Sequence, residues 1–236
     1  VNGTRDLVIP NFGRLGIRLS LVAALLVASC AENEASVETV PPIDAPMSVV
    51  PYTPPTDASP SRVLFAGDSL TAGAYATTPD RTFPALVAAS LGGPVQPVMA
   101  YAAGKTLITV NSVIDVPPDL DLAVLELGTN DYGTTPLSDF EATYHDLVKR
   151  VRSTSPSAAL VCVGVWNADG GSYDEAIEAA CISGGGKFVP VSWLYTPDPY
   201  RGPAGVPTFM GGADALHPND TGHGALAGAI LASLPR

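Results

Sequence analysis

The sequence predicts a three-layer α/β sandwich around a five-stranded parallel sheet, occupying residues 61–236. Two observations carry this. Five short runs, at 62–66, 95–100, 122–127, 160–165 and 187–191, have the length and the Val, Leu and Ile content of strands covered on both faces. Helical patterns occupy 83–91, 138–153, 172–182 and 221–234. Strands alternating with helices join by right-handed crossovers and lie parallel. In such sheets ligands bind beyond the carboxyl ends of the strands, so the residues at those ends are the ones to read.

Taken in order, the first run is followed by Gly67, Asp68, Ser69 and Leu70, and the second by Ala103, Gly104, Lys105 and Thr106. Gly128, Thr129, Asn130 and Asp131 follow the third, while the fourth ends on Trp166 and Asn167. Asp214, Ala215, Leu216, His217, Pro218 and Asn219 precede the last helix.

Length and composition narrow the setting. A chain of 236 residues holds one medium domain and some ancillary sequence. Gly and Pro at 23 each require long loops. A net charge of −11 with no Lys/Arg cluster argues against nucleic acid as a partner.

Ahead of the domain, Arg14 and Arg18 precede a charge-free stretch, 19–29, in the order of a secretory signal; residues 1–29 are read as one. The stretch is shorter than the roughly 20 apolar residues that span a bilayer. It closes on Val27, Ala28, Ser29 and Cys30, which resembles a bacterial lipobox. On that resemblance Cys30 carries lipid and anchors the protein to the outer face of the membrane; ordinary secretion is the alternative. Residues 31–60, with Pro41, Pro42, Pro46, Pro51, Pro54, Pro55 and Pro60, read as a disordered linker. In an exported protein Cys162 and Cys181 are a disulfide candidate, two buried thiols being the other reading; the bond needs Cα atoms within about 7 Å.

The chemistry converges on one serine. A hydroxyl is a poor nucleophile until a base takes its proton, and a histidine suits that task near neutral pH. His217 is the candidate base for Ser69. Asp214, three residues earlier, has a spacing that can place its carboxylate beside the imidazole on one side of a helical turn. The four blocks around Ser69, Gly104, Asn130 and His217 resemble, in this order, those of the SGNH/GDSL hydrolase superfamily. The resemblance spans 61–236 and implies the flavodoxin-like fold of that superfamily. It also implies an oxyanion hole made by the N–H groups of Ser69 and Gly104 and the amide of Asn130.

The same residues admit other readings. The G-x-S-x-G elbow of α/β-hydrolases is missed because Thr71 holds the second glycine position. His145 falls on a helix surface and His223 is structural or exposed. His217 and His223 lack the i, i+4 spacing of a zinc pair, so no metal is expected, and no cofactor. Asp68 is expected to point away from Ser69 and stabilise its loop, Asp131 to tie the loop after the third strand, and Trp166 either to line the crevice or to pack.

The resulting expectation is an exported, monomeric serine esterase. It cleaves short acyl esters on lipids or glycans through an acyl-serine. A catalytically silent envelope protein that binds glycan or lipid on the same fold is the alternative.

Overall fold

A computed structural model describes residues 46–54, 59–195 and 198–236. The signal segment and Cys30 lie outside the described residues.

Five strands form one parallel sheet: β1 (Ser61–Gly67), β2 (Val95–Tyr101), β3 (Leu122–Glu126), β4 (Ala159–Val163) and β5 (Lys187–Val189). Their order is β2-β1-β3-β4-β5. Five helices accompany them: α1 (Phe83–Ser90), α2 (Leu107–Val113), α3 (Leu137–Thr154), α4 (Gly171–Ser183) and α5 (Asp220–Ser233). Successive strand side chains point to opposite faces, so each strand feeds two cores. Leu64, Ala66, Ala123, Leu125, Leu160 and Cys162 pack against α2, α3 and α4. Val63, Phe65, Val124, Val161 and Val189 pack against α1 and α5.

The strand order reverses at β1, with β2 on one side and β3 on the other. Gly67, the last residue of β1, pairs with Tyr101 of β2 and Glu126 of β3. The three strands therefore end level, and their following loops open onto one crevice, the ligand position expected of a doubly wound sheet.

Three expectations need correction. β2 is not covered on both faces: it is an edge strand, with Met99 44% and Tyr101 47% exposed. Pro97 within it withholds an N–H that only an edge position can spare. The last strand stops at Val189 rather than 191. The linker reading of 31–60 fails for residues 46–54, which lie on the domain. Met47 and Val50 donate to the carbonyls of Ser183 and Gly185, and Tyr52 donates to that of Pro235. An extended Pro-rich segment has no internal hydrogen bonds, so its N–H groups are free to pair with carbonyls left open at a helix end. The buried Tyr52 ring, hydrogen-bonded to Ser61 Oγ, seats it.

Helix α2 has no counterpart among the expected elements. Its sequence, LITVNSV, is rich in β-branched residues that favour strands. What starts it is remote in sequence: the Asp131 carboxylate accepts the Leu107 N–H at 2.8 Å, satisfying a donor at the helix N-terminus.

Candidate active site

Gly67 ends β1 because nothing larger fits: a Cβ there would overlap the Thr71 hydroxyl and the Glu126 carbonyl. The chain then makes a tight turn. Ala72 and Ala74 donate to the carbonyls of Asp68 and Ser69 at 3.1 and 2.8 Å, which lifts Ser69 to the crevice floor. The Ser69 hydroxyl lies 3.0 Å from His217 Nε2. On the other side of that ring, Nδ1 lies 2.8 Å from Asp214 Oδ2. A carboxylate only accepts, so Nδ1 carries the proton and Nε2 presents its lone pair to the serine.

The Asp214–His217 segment is a bend, not the helical turn its spacing allows. Asp214 folds back on its own backbone: Oδ1 accepts the N–H groups of Leu216 at 2.7 Å and His217 at 2.9 Å, leaving Oδ2 for the imidazole. Burial opposes the charged form of Asp214, but these N–H groups and the imidazole outweigh it and hold its pKa below the usual value. Two further side chains hold the loop. The Trp166 indole N–H donates to the Leu216 carbonyl at 2.8 Å, and Asn219 Nδ2 bonds the carbonyls of Pro199, Arg201 and Gly202. Trp166 is thus buried and supports the histidine loop from beneath.

Asn130, after β3, reaches the same crevice. Its Nδ2 donates to Asp68 Oδ2 at 2.9 Å and to the Lys105 carbonyl at 3.1 Å. Gly104, the residue before Lys105, has φ +71°, and a side chain there would meet nothing within 4 Å. Its glycine therefore serves the left-handed backbone of the loop.

The expectation that Asp68 points away from Ser69 is overturned. Asp68 is fully buried, with Oδ1 accepting the Leu70 N–H at 3.0 Å and lying 3.4 Å from Ser69 Oγ. Turning inward lets one carboxylate cap the nucleophile turn and orient the Asn130 amide together. Beneath it lies a residue that motif reading missed. Glu126, the last of β3, is buried and accepts from Thr71 N and Thr71 Oγ1 at 3.2 and 2.9 Å through Oε2, while its Oε1 has no partner. Burial pushes both acids above their ordinary pKa values, and each carboxylate adjoining another charge adds to the rise. Its signal in sequence was a carboxylate inside an otherwise apolar strand.

His223 is buried and structural. Nε2 donates to the Ala74 carbonyl at 3.0 Å and Nδ1 accepts the Phe83 N–H at 3.2 Å, while burial lowers its pKa to about 4. His145 sits half-buried on α3, 3.5 Å from Ser183 Oγ. Among the described residues no group of His, Cys, Asp and Glu side chains could hold a metal ion, and no helix is long and apolar enough to cross a membrane.

Comparison with known proteins is consistent with this geometry. Solved structures alike in fold include an extracellular lipase from Streptomyces rimosus, with 16% identity and a TM-score of 0.57, over 74% of this chain and 100% of that one. A carbohydrate esterase family 2 enzyme with a carbohydrate-binding domain, from Corynascus thermopiles (Myceliophthora fergusii), aligns at 20% identity and a TM-score of 0.54 over 77% of this chain and 69% of that one. A two-domain esterase active on acetylated mannans aligns at 20% identity and a TM-score of 0.55, over 74% and 48%. At such identities the likeness establishes the fold. No curated protein matches the sequence. The GDSL-like lipase/acylhydrolase family model matches residues 65–225, a span that contains Ser69, Gly104, Asn130, Asp214 and His217, and the chain belongs to that family.

Proposed function

We propose that this protein is an exported serine esterase that cleaves short acyl groups from lipids or glycans through an acyl-Ser69 intermediate. The observation that carries the reading is the unbroken relay from Ser69 Oγ to His217 Nε2 at 3.0 Å and from Nδ1 to Asp214 at 2.8 Å. Ser69 Oγ attacks the ester carbonyl carbon as its proton passes to Nε2. Asp214 stabilises the imidazolium that forms. Negative charge gathers on the carbonyl oxygen, which the N–H groups of Ser69 and Gly104 and the Asn130 amide receive. That oxygen would take over the Asn130 N–H now given to Lys105, while Asp68 keeps the other. The tetrahedral species collapses, its alcohol leaves with the proton from Nε2, and water repeats the sequence to release the acid.

Ester hydrolysis as the reaction class follows from the family. The substrate side rests on the rim. Leu216 of the histidine loop is exposed, the exposed Phe209 ring adjoins Gly73 of the nucleophile turn, and a cavity of about 320 Å³ lined by Asp198, Arg201, Gly202, Pro203 and Ala215 opens next to the histidine loop. The esterase active on acetylated mannans among the fold relatives favours a small acyl group. Export rests on the charge-then-apolar order of 14–30, and lipid anchoring on Cys30.

The test is labelling with an organophosphonate and hydrolysis of p-nitrophenyl esters of graded chain length. The expected result is modification at Ser69 and fastest turnover of the short esters. Ser69→Ala and His217→Ala should each lose about 10⁴-fold or more in kcat, and the double variant scarcely more. Additive losses, or no labelling at Ser69, overturn the mechanism.

A further inference from the structure

Tyr75 stands six residues after the nucleophile in a conformation that disfavours it, with φ +69°. Non-glycine residues rarely adopt the left-handed region, and Asp and Asn are the usual exceptions. Asp119, the other described non-glycine residue with positive φ, is of that kind; Tyr75 is not.

The backbone around it is pinned on both sides. Ala74 donates its N–H to the Ser69 carbonyl and accepts from His223 Nε2, while Ala76 donates to Gly73. Thr77 gives its N–H and its hydroxyl to the two oxygens of Asp220 at 2.8 and 2.6 Å. These contacts impose the turn, and glycine would satisfy it without steric conflict. Core packing does not account for the tyrosine either, because the residue is only half-buried. What the side chain does is lie on the base: its ring centroid is 4.6 Å from that of His217, at 40° between planes. The Asp214 carboxylate also neighbours the phenol.

We propose that Tyr75 is a positioning residue for the His217 base, resting on the acyl-serine reading above. The ring blocks rotation of the imidazole away from the line joining Ser69 and Asp214. Its π face also meets the imidazolium that exists only while His217 holds the serine proton, an attraction stronger in the transition state than in the resting enzyme. The role therefore acts on kcat rather than on substrate binding.

Tyr75→Gly separates this from a structural role, since it relieves the backbone while deleting the ring. The expected result is a Tm equal to or above the parent's, KM within about twofold, and kcat lower by about 10- to 100-fold, the scale of a misaligned reacting group. Tyr75→Phe keeps the ring and should restore kcat to within about threefold of the parent. A Tyr75→Gly enzyme with parental kcat, or a loss confined to KM, or a Tyr75→Phe enzyme as slow as Tyr75→Gly, overturns the proposal. A parent chain that hydrolyses no ester and takes no label at Ser69 instead overturns the reading beneath it.

Discussion

Replacing Cys162 and Cys181 with alanine removes the cross-link that joins β4 to α4 across one core. Both residues are fully buried, and their Cα atoms stand 6.0 Å apart with the sulfurs bonded. The bridge closes a loop between residues separated by 19 positions. For a loop of that length the closure entropy removed from the unfolded chain is about 11 cal/mol/K, or about 3 kcal/mol at 25 °C. Deleting the sulfurs also leaves small voids among Leu160, Gly186 and their neighbours, which adds to the loss. In a domain of this size 1 kcal/mol moves the midpoint by about 2–4 °C, so Tm should fall by about 6–12 °C. Neither sulfur touches the crevice, and esterase activity well below Tm should survive. Thermal melts followed by circular dichroism measure the shift, and alkylation of the unfolded, unreduced parent reports the thiols. A double variant that melts within about 2 °C of the parent refutes the reasoning, as does a parent whose Cys162 and Cys181 both alkylate without reductant.

Glu126→Gln keeps the acceptor for Thr71 and removes a buried carboxylate. Because the folded-state pKa of Glu126 lies above its ordinary 4.5, its contribution to stability is full below that value and is lost as pH rises through the folded pKa. The variant should gain stability over the parent by about 1 kcal/mol or more at pH 8 and little at pH 4 in urea unfolding; a difference independent of pH contradicts the charge argument. Trp166→Phe deletes the N–H that holds the Leu216 carbonyl, and a bond of this kind, worth about 0.5–1.5 kcal/mol, should appear as about a 2- to 10-fold loss in kcat/KM. Steady-state rates equal to the parent's would mean that the histidine loop holds itself. Asn130→Ala should lower kcat by about 10²- to 10³-fold with Ser69 still labelled slowly by the phosphonate, and parental turnover would remove Asn130 from the oxyanion hole.

Among the described residues, four of the five α-helices and the five strands of the parallel sheet were legible in sequence because their signals are local. Val63 to Ala66 or Leu122 to Leu125 is an apolar run too short for a buried helix, and α3 has a clear apolar stripe in Phe140, Tyr144, Leu147, Val148 and Val151. The candidates Ser69, Gly104, Asn130, Asp214 and His217 came from two sources: their place in loops after strands or ahead of the last helix, and the resemblance of their ordered blocks to those of the SGNH/GDSL superfamily, which alone suggested the oxyanion roles of Gly104 and Asn130.

What the chain could not announce locally was set by groups far apart in it. Asp131 induces α2 in a segment whose own residues favour strand. Asp68 turns inward because Asn130, 62 residues away, offers it a donor. Glu126 is an acid at the end of a strand until Thr71 and Asp68 surround it, and Tyr75 is a surface tyrosine until His217 arrives 142 positions later. Outside α2, element type follows from short-range pattern, since strand and helix periods are properties of neighbouring residues. Protonation, rotamer and support follow from the dielectric and the hydrogen-bond partners at each atom, which exist only once the sheet has brought separate loops together.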